Sequence, residues 1–286
     1  MLSEDHRRRV AEALACRDAD DIPKVPGAGG VRVDEMGNRI QIMHNGVAVV
    51  ADGYYGEFIT ETVERLKGHH EPQDEKAFHE ILKVIPAGST MIELGAYWSY
   101  YSMWFQKSIK GARNFMIEPI ERCLECGVKN FQLNRMHGDF TRAYIGRCSS
   151  EGWEQAGVPG ASGEAGRVCI KDFAQSKGID AVTLLHSDIQ GYEYEMLRGC
   201  GDLIGRKKIE VLFISSHSLK VHYQCRTYLT QRGYSILAEH NPKESYSEDG
   251  LIVASASLRP LERIELSKKP MSVRLRWKTA LFRAVF

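Results

Sequence analysis

Apolar positions change their period along this chain. From Val31 to Tyr55 they alternate or cluster in β-branched runs (VRVDEMGNRIQIMHNGVAVVADGYY) broken by Gly-Asn and Asn-Gly turn signals, which predicts a small hairpin or meander. Beyond Glu75 the spacing turns helical. Phe78, Ile81, Leu82 and Ile85 share a face, Pro72 suits a helix's first turn, and Pro86-Ala87-Gly88 ends it. Strand-like and helix-like runs then interleave: a strand over 90–95, a helix from about Tyr100, a strand over 114–118, a helix through Leu133, a strand over 182–188, a helix from Tyr192, a strand over 209–215, an amphipathic segment over 219–232, and two short strands near SILAEH and LIVASA. Strands alternating with helices indicate an α/β fold whose mainly parallel sheet is covered on both faces. Ahead of the meander, residues 1–20 read as a short charged helix and 21–30 as a Pro/Gly-rich loop; residues 150–168 read as a Gly/Ser/Ala-rich loop. The expected division is therefore a helix and β-rich cap over 1–76, a main domain over 77–258 and a basic tail over 259–286.

Composition narrows the partners. The 286 residues are 43% hydrophobic, enough for a large core, and 38 Lys+Arg against 37 Asp+Glu leave a formal charge of +1. No global field draws such a chain to nucleic acid or to a membrane. No stretch reaches the roughly 18 apolar residues of a membrane span, and the N-terminus has charges where a signal peptide is apolar, so the expected location is cytoplasmic. Seven scattered cysteines are expected as reduced thiols, and Cys123-x-x-Cys126, inside a helical segment, as buried ones rather than a zinc site. From Lys268 onward, cations interleave with Leu275, Trp277, Leu281 and Phe282. Docking of this tail on its own fold, or on a partner subunit of a homo-oligomer, is preferred over an interfacial helix on anionic lipid.

In an open parallel sheet, ligands sit outside the carboxyl ends of the strands where strand order reverses. The first long strand ends in Glu93-Leu94-Gly95-Ala96-Tyr97-Trp98-Ser99, where Gly95 lets backbone approach a ligand. The pyrophosphate-binding G-x-G-x-x-G is missing, so a ligand without phosphates fits better. Glu118 ends the next strand twenty-three positions after Gly95, close to the roughly 20-residue offset of an acid that binds ribose hydroxyls. Loop plus acid suggests an adenosine with a short tail, a description that S-adenosylmethionine meets, with Glu93 or backbone for its ammonium.

These residues also carry a resemblance. Glu93-Leu-Gly-Ala, Ile117-Glu118-Pro119, Asn130-Phe-Gln-Leu-Asn134, His186-Ser-Asp188-Ile-Gln190-Gly191-Tyr-Glu193 and Ser216-His217 follow the order and spacing of the FkbM family of S-adenosylmethionine-dependent methyltransferases, over about Phe78 to Ala256. The resemblance implies a class I, Rossmann-like methyltransferase fold with a seven-stranded, mainly parallel sheet. It also implies methyl transfer to a hydroxyl, often on a sugar. Position by position, Glu93 and Gly95 resemble the opening of the cofactor loop, with Tyr97 and Ser99 further along it, and Glu118 resembles the ribose-binding acid. Asp188, Gly191 and Glu193 resemble the Asp-x-Glu-Gly-x-Glu segment, and His217 the histidine ending the next strand. Ser99, Gln190 and His186 depart from the pattern, standing for a glycine, a glutamate and a lysine.

Methyl transfer from a sulfonium to an alcohol needs in-line alignment and a base. Asp188 and His217, at the ends of strands expected to be adjacent, form the candidate acid/base pair, with His186 beside them. A competing reading gathers Asp188, His217 and His186 around a divalent metal, without a spacing motif to favour it. Acceptor contacts are expected from His70, Gln190 and Glu193, with His70 and Gln73 over the cofactor pocket and Tyr97 or Trp98 as a stacking wall. Transfer to a carboxylate or amine, or cofactor binding without catalysis, are the rival functions.

Overall fold

The computed structural model describes residues 2–147, 165–257 and 262–270, so residues 150–164 of the expected loop and most of the basic tail lie outside the described residues, while 166–168, expected as loop, form a strand. Helix α1 (Glu4–Ala15) starts at Ser3, whose side chain accepts the His6 N–H. The expected meander is a three-stranded antiparallel sheet of β1 (Val31–Val33), β2 (Arg39–Ile42) and β3 (Ala48–Val50), and α2 (Glu57–Arg65) follows it. Then come α3 (Pro72–Leu82), β4 (Thr90–Leu94), α4 (Tyr100–Ser108), β5 (Arg113–Ile117), α5 (Glu121–Leu133), β6 (Asp139–Thr141), β7 (Ala143–Ile145), β8 (Gly166–Val168), α6 (Ile170–Ser176), β9 (Val182–Ser187), α7 (Glu193–Gly199), α8 (Asp202–Gly205), β10 (Ile209–Ser216), α9 (Leu219–Gln231), β11 (Ser235–His240) and β12 (Gly250–Ser255). No described helix is long and apolar enough to cross a membrane.

Seven strands form one sheet in the order β11-β12-β10-β9-β4-β5-β6; β12 runs antiparallel to both neighbours and the other pairings are parallel. This is the class I methyltransferase arrangement. The central strands are buried on both faces, as the continuous apolar runs require. Met91, Leu184 and Phe213 point into a cluster with Phe78, Tyr100 and Phe105 of α3 and α4, while Ile92, Leu185 and Leu212 point into a second cluster with Phe173, Leu197 and Leu229 of α6, α7 and α9. Strand order reverses between β4 and β9, which lie side by side.

The N-terminal sheet shares the first of these cores, through Met43, Val47 and Val49. Two asparagines of α5 fasten it. Asn130, fully buried, accepts from Val50 N at 2.8 Å and donates to Trp98 O at 2.9 Å, and Asn134 exchanges hydrogen bonds with both backbone groups of Ala48. The start of the C-terminal tail docks on the fold: Ser267 N donates to Asp18, Lys269 pairs with Glu12 at 2.8 Å, and Lys268 pairs with Glu244 at 2.9 Å. Among the cysteines, Cys123 and Cys126 are free and buried as expected. Cys169 is disulfide-bonded, which corrects the expectation of thiols throughout. Replacing Asn130 by Ala would orphan a buried donor and a buried acceptor, so Asn130→Ala is expected to lower unfolding free energy by about 2–4 kcal/mol. Urea denaturation checks this; an unchanged midpoint would contradict the fastening role.

Candidate active site

The ends of β4 and β9 touch. Asp188 N donates to Leu94 O at 2.9 Å, and Gly95, at a φ of +69°, donates to Ile117 O at 2.9 Å. A Cβ on Gly95 would lie 1.8 Å from the Asp188 carbonyl oxygen, so glycine is required by both the dihedral and the space. The loop then passes Tyr97 and Ser99, with φ of +36° and +57°, into α4. From β5, the largely buried Glu118 turns back over this loop: one carboxylate oxygen accepts from Ile120 N at 2.9 Å, the other from Tyr97 N at 3.2 Å. Burial raises its pKa, against the pull of these two N–H groups.

A cavity of about 810 Å³ opens at these strand ends, lined by Gly95, Tyr97, Glu118, Asp188 and Gln190 among others. Its size suits a nucleoside-sized ligand. Two expected cofactor residues do not line it. Ser99 is wholly buried with its hydroxyl turned to Gly127 of α5, where an added Cβ would lie 2.4 Å away. Glu93 is buried in β4 and accepts from Ser102 N at 3.1 Å; burial pushes its pKa up to about 8, which favours its neutral form.

A smaller chamber of about 260 Å³ adjoins the first, and Tyr54, Tyr55, Asp188 and Gln190 line both. Its other walls include Arg9, His70, Glu71, His217, Glu248 and Asp249. Tyr54 lies flat on Trp98 at 4.4 Å and edge-on to Tyr97 at 4.9 Å, so the aromatic wall is shared between the N-terminal cap and the cofactor loop.

His217 closes this chamber among carboxylates. Its Nε2 is 3.0 Å from Asp188 and 3.6 Å from Asp249, while its Nδ1 meets Glu193 at 2.7 Å. Burial alone would lower its pKa, but the bonds to Asp188 and Glu193 and the charge of Asp249 outweigh that and raise it to about 10. The carboxylates around it thus favour the protonated ring at neutral pH, which weighs against its expected role as base. The Gln190 amide nitrogen lies 2.8 Å from Nε2 and donates to Asp188 at 3.3 Å. Glu193, expected to contact the acceptor, is fully buried, lines neither cavity and holds the His217 ring through Nδ1.

Other expectations also change. His186 lines neither of the two cavities; it is stacked on Phe213 at 5.2 Å and close to Tyr101 at 4.5 Å, and burial lowers its pKa to about 4. It joins neither the acid/base pair nor a metal set with Asp188 and His217. Among the described residues, one group has metal-ligand spacing, the buried His44, His69 and Glu75, but these answer one another and Tyr100: Glu75 meets the His69 ring, and the Tyr100 hydroxyl meets His44 at 3.0 Å. His70 lines the small chamber, not the cofactor cavity, with Glu71 at 3.1 Å and Glu75 at 2.8 Å holding it as a cation. Burial opposes that charge, yet the two carboxylates raise its pKa to about 10. Gln73 is structural, donating to Ser267 O at 2.7 Å and accepting from Tyr246 N at 2.8 Å. Sequence reasoning missed Asp249, Glu71, Tyr54 and Tyr55, for which no motif in the chain gives a signal.

Residues 83–236, just over half of the chain, match the family model of the methyltransferase FkbM domain. No curated protein matches the chain. Among solved structures it is similar to M. capricolum TrmK in complex with S-adenosyl-homocysteine (13% identity, 70% of this chain and 73% of that one, TM-score 0.42). It is also similar to precorrin-6y C5,15-methyltransferase from Geobacter metallireducens (14%, 63% and 86%, TM-score 0.43). A third likeness is to a SAM dependent methyltransferase from Aquifex aeolicus (10%, 63% and 88%, TM-score 0.38).

A histidine whose folded pKa is raised contributes stability that is full below its unfolded value near 6.5 and is lost as pH climbs through the folded value, here about 10. Ring nitrogen NMR should accordingly find His217 doubly protonated at pH 8, and the His217→Gln variant should lose the stability advantage seen at pH 6 relative to pH 10. A His217 midpoint near 6.5 would contradict the arrangement.

Proposed function

The chain belongs to the FkbM methyltransferase family and is an S-adenosylmethionine-dependent methyltransferase; we propose that it methylates a hydroxyl of a sugar or other small natural product, with the cofactor in the larger cavity and the acceptor in the smaller one. The observation that carries this reading is the junction of the two cavities at Asp188, Gln190, Tyr54 and Tyr55. When bound, S-adenosylmethionine supplies an electrophilic methyl carbon on a sulfonium whose leaving group is a neutral thioether.

The chain's residues fit such a ligand. Glu118 has lone pairs to spare beyond its two backbone donors, enough for two vicinal ribose hydroxyls. Gly95, with no side chain, lets the Asp188 backbone close against the tip of β4, so that both residues line the cavity along which the tail would run. On the acceptor side, Asp188, held by His217 and Gln190, accepts a hydrogen bond from the acceptor and fixes its line of approach. The tyrosine pair supplies a flat apolar face of the kind sugars stack on, and screens the junction from water. Glu71, Asp188, Glu248 and Asp249 outnumber Arg9, His70 and His217 around the chamber, which disfavours an anionic acceptor and so a carboxylate as nucleophile.

Glu118→Ala is expected to weaken S-adenosylhomocysteine binding by about 10- to 100-fold, the loss of one or two charge-assisted hydrogen bonds. His217→Ala, which lies outside the cofactor cavity, should keep that affinity and lose turnover. Isothermal calorimetry on the two variants distinguishes them; unchanged affinity in Glu118→Ala would remove the ribose assignment.

A further inference from the structure

Methylating a hydroxyl leaves a proton to be removed, and the groups facing the acceptor chamber differ in how far other partners already engage them. His70 and His217 are cations and have no free site for a proton. Glu71 answers His70 and takes the Tyr101 hydroxyl at 3.3 Å. Glu248 is held by Arg8 at 3.1 Å and Arg9 at 3.3 Å. Asp188 meets His217 at 3.0 Å and Gln190 at 3.3 Å. Asp249, in the turn that leads into β12, is different: among the described residues its side chain accepts no hydrogen bond, and its one cationic neighbour, His217 Nε2, stands 3.6 Å away, beyond a normal hydrogen bond.

On the hydroxyl reading above, we propose that Asp249 is the general base of the reaction. The acceptor's proton passes to an Asp249 carboxylate oxygen while the hydroxyl oxygen's electron pair forms the bond to the methyl carbon. The electrons of the broken carbon–sulfur bond stay on sulfur. Charge balances, because the sulfonium becomes a neutral thioether as the carboxylate becomes a neutral acid. Asp249 then releases its proton to solvent, to which its side chain is 32% exposed. Asp188 and Asp249 flank the same imidazolium, so His217 keeps both carboxylates at the chamber wall, one at the junction of the cavities and one further in.

The groups facing Asp249 tune it in opposite directions. Burial raises its pKa, His217 at the end of β10 lowers it, and Asp188 after β9 with Glu71 and Asp74 at the start of α3 raise it, with the balance near 7. Glu248 beside it is neutralised by α1, whose Arg9 also faces the chamber, and His70 is neutralised by its own glutamates. A base poised near the working pH is the most effective kind.

The test is transfer of tritiated methyl from S-adenosylmethionine to a panel of methyl glycosides, carboxylic acids and amines, followed over pH. On a hydroxyl acceptor, Asp249→Asn should lower kcat by about 10²- to 10⁴-fold, abolish the acid limb of the pH profile near 7 and leave S-adenosylhomocysteine affinity unchanged, with partial rescue in Asp249→Glu. Full rate or a retained acid limb in Asp249→Asn overturns the assignment alone, whereas wild-type transfer only to acids or amines overturns the hydroxyl reading and this assignment with it. Whatever the panel yields, the Asp249 carboxyl carbon should titrate near 7 by NMR; a midpoint below about 5, in the ordinary carboxylate range, overturns the proposal.

Discussion

The site depends on one close approach, that of Gly95 to the Asp188 carbonyl. Two neighbouring parallel strands end level with each other at the point where strand order reverses, and the gap between their tips has no room for even a methyl group. That contact sets where the loop after β4 turns, and therefore where Tyr97 N meets Glu118. It also fixes the Asp188 backbone, so that its side chain stands between the two cavities. The sheet thus positions Gly95, Glu118, Asp188 and His217 at its strand ends, and turns bring Asp249 and the tyrosine pair to them.

Around that scaffold, similar carboxylates are given different work by their surroundings. Glu118 stays in contact with backbone N–H groups at the cavity wall, and Glu93, one sheet position away from the solvent-facing tip, is driven toward its neutral form by burial. Glu193 is buried as the anchor of a histidine. His217 shows the same principle from the other side: three carboxylates make it a fixed cation, so the residue that looks most like a base in the sequence serves as an organiser of acids. Proton removal is therefore proposed for a carboxylate without a close donor.

The parallel sheet and its order of elements were legible because strands buried on both faces must be continuously apolar and their helices must be amphipathic. Gly95 and Glu118 were legible because strand-end positions of such a sheet are fixed by where the apolar runs stop. Helix α2 and the short β6, β7 and β8 were not anticipated; two or three residues of extended chain carry no period. His186 misled for a definite reason. It stands two positions before Asp188, but it is still inside β9, where alternation assigns it to the face of Leu184 and opposite Glu93, among Tyr101 and Phe213. Asp249 and the Tyr54-Tyr55 pair arrive at the site through turns of the N-terminal cap and the last hairpin, contacts far apart in sequence that no local pattern encodes.

The central claim is that one cavity holds an adenosine whose tail ends at the mouth of the other. A crystal structure with S-adenosylhomocysteine tests it most directly. The account predicts both ribose hydroxyls on the Glu118 carboxylate and the sulfur beyond Gly95, facing Asp188 and the tyrosine pair. Ribose density away from Glu118, or a sulfur with no open path to the chamber of His217 and Asp249, would contradict it.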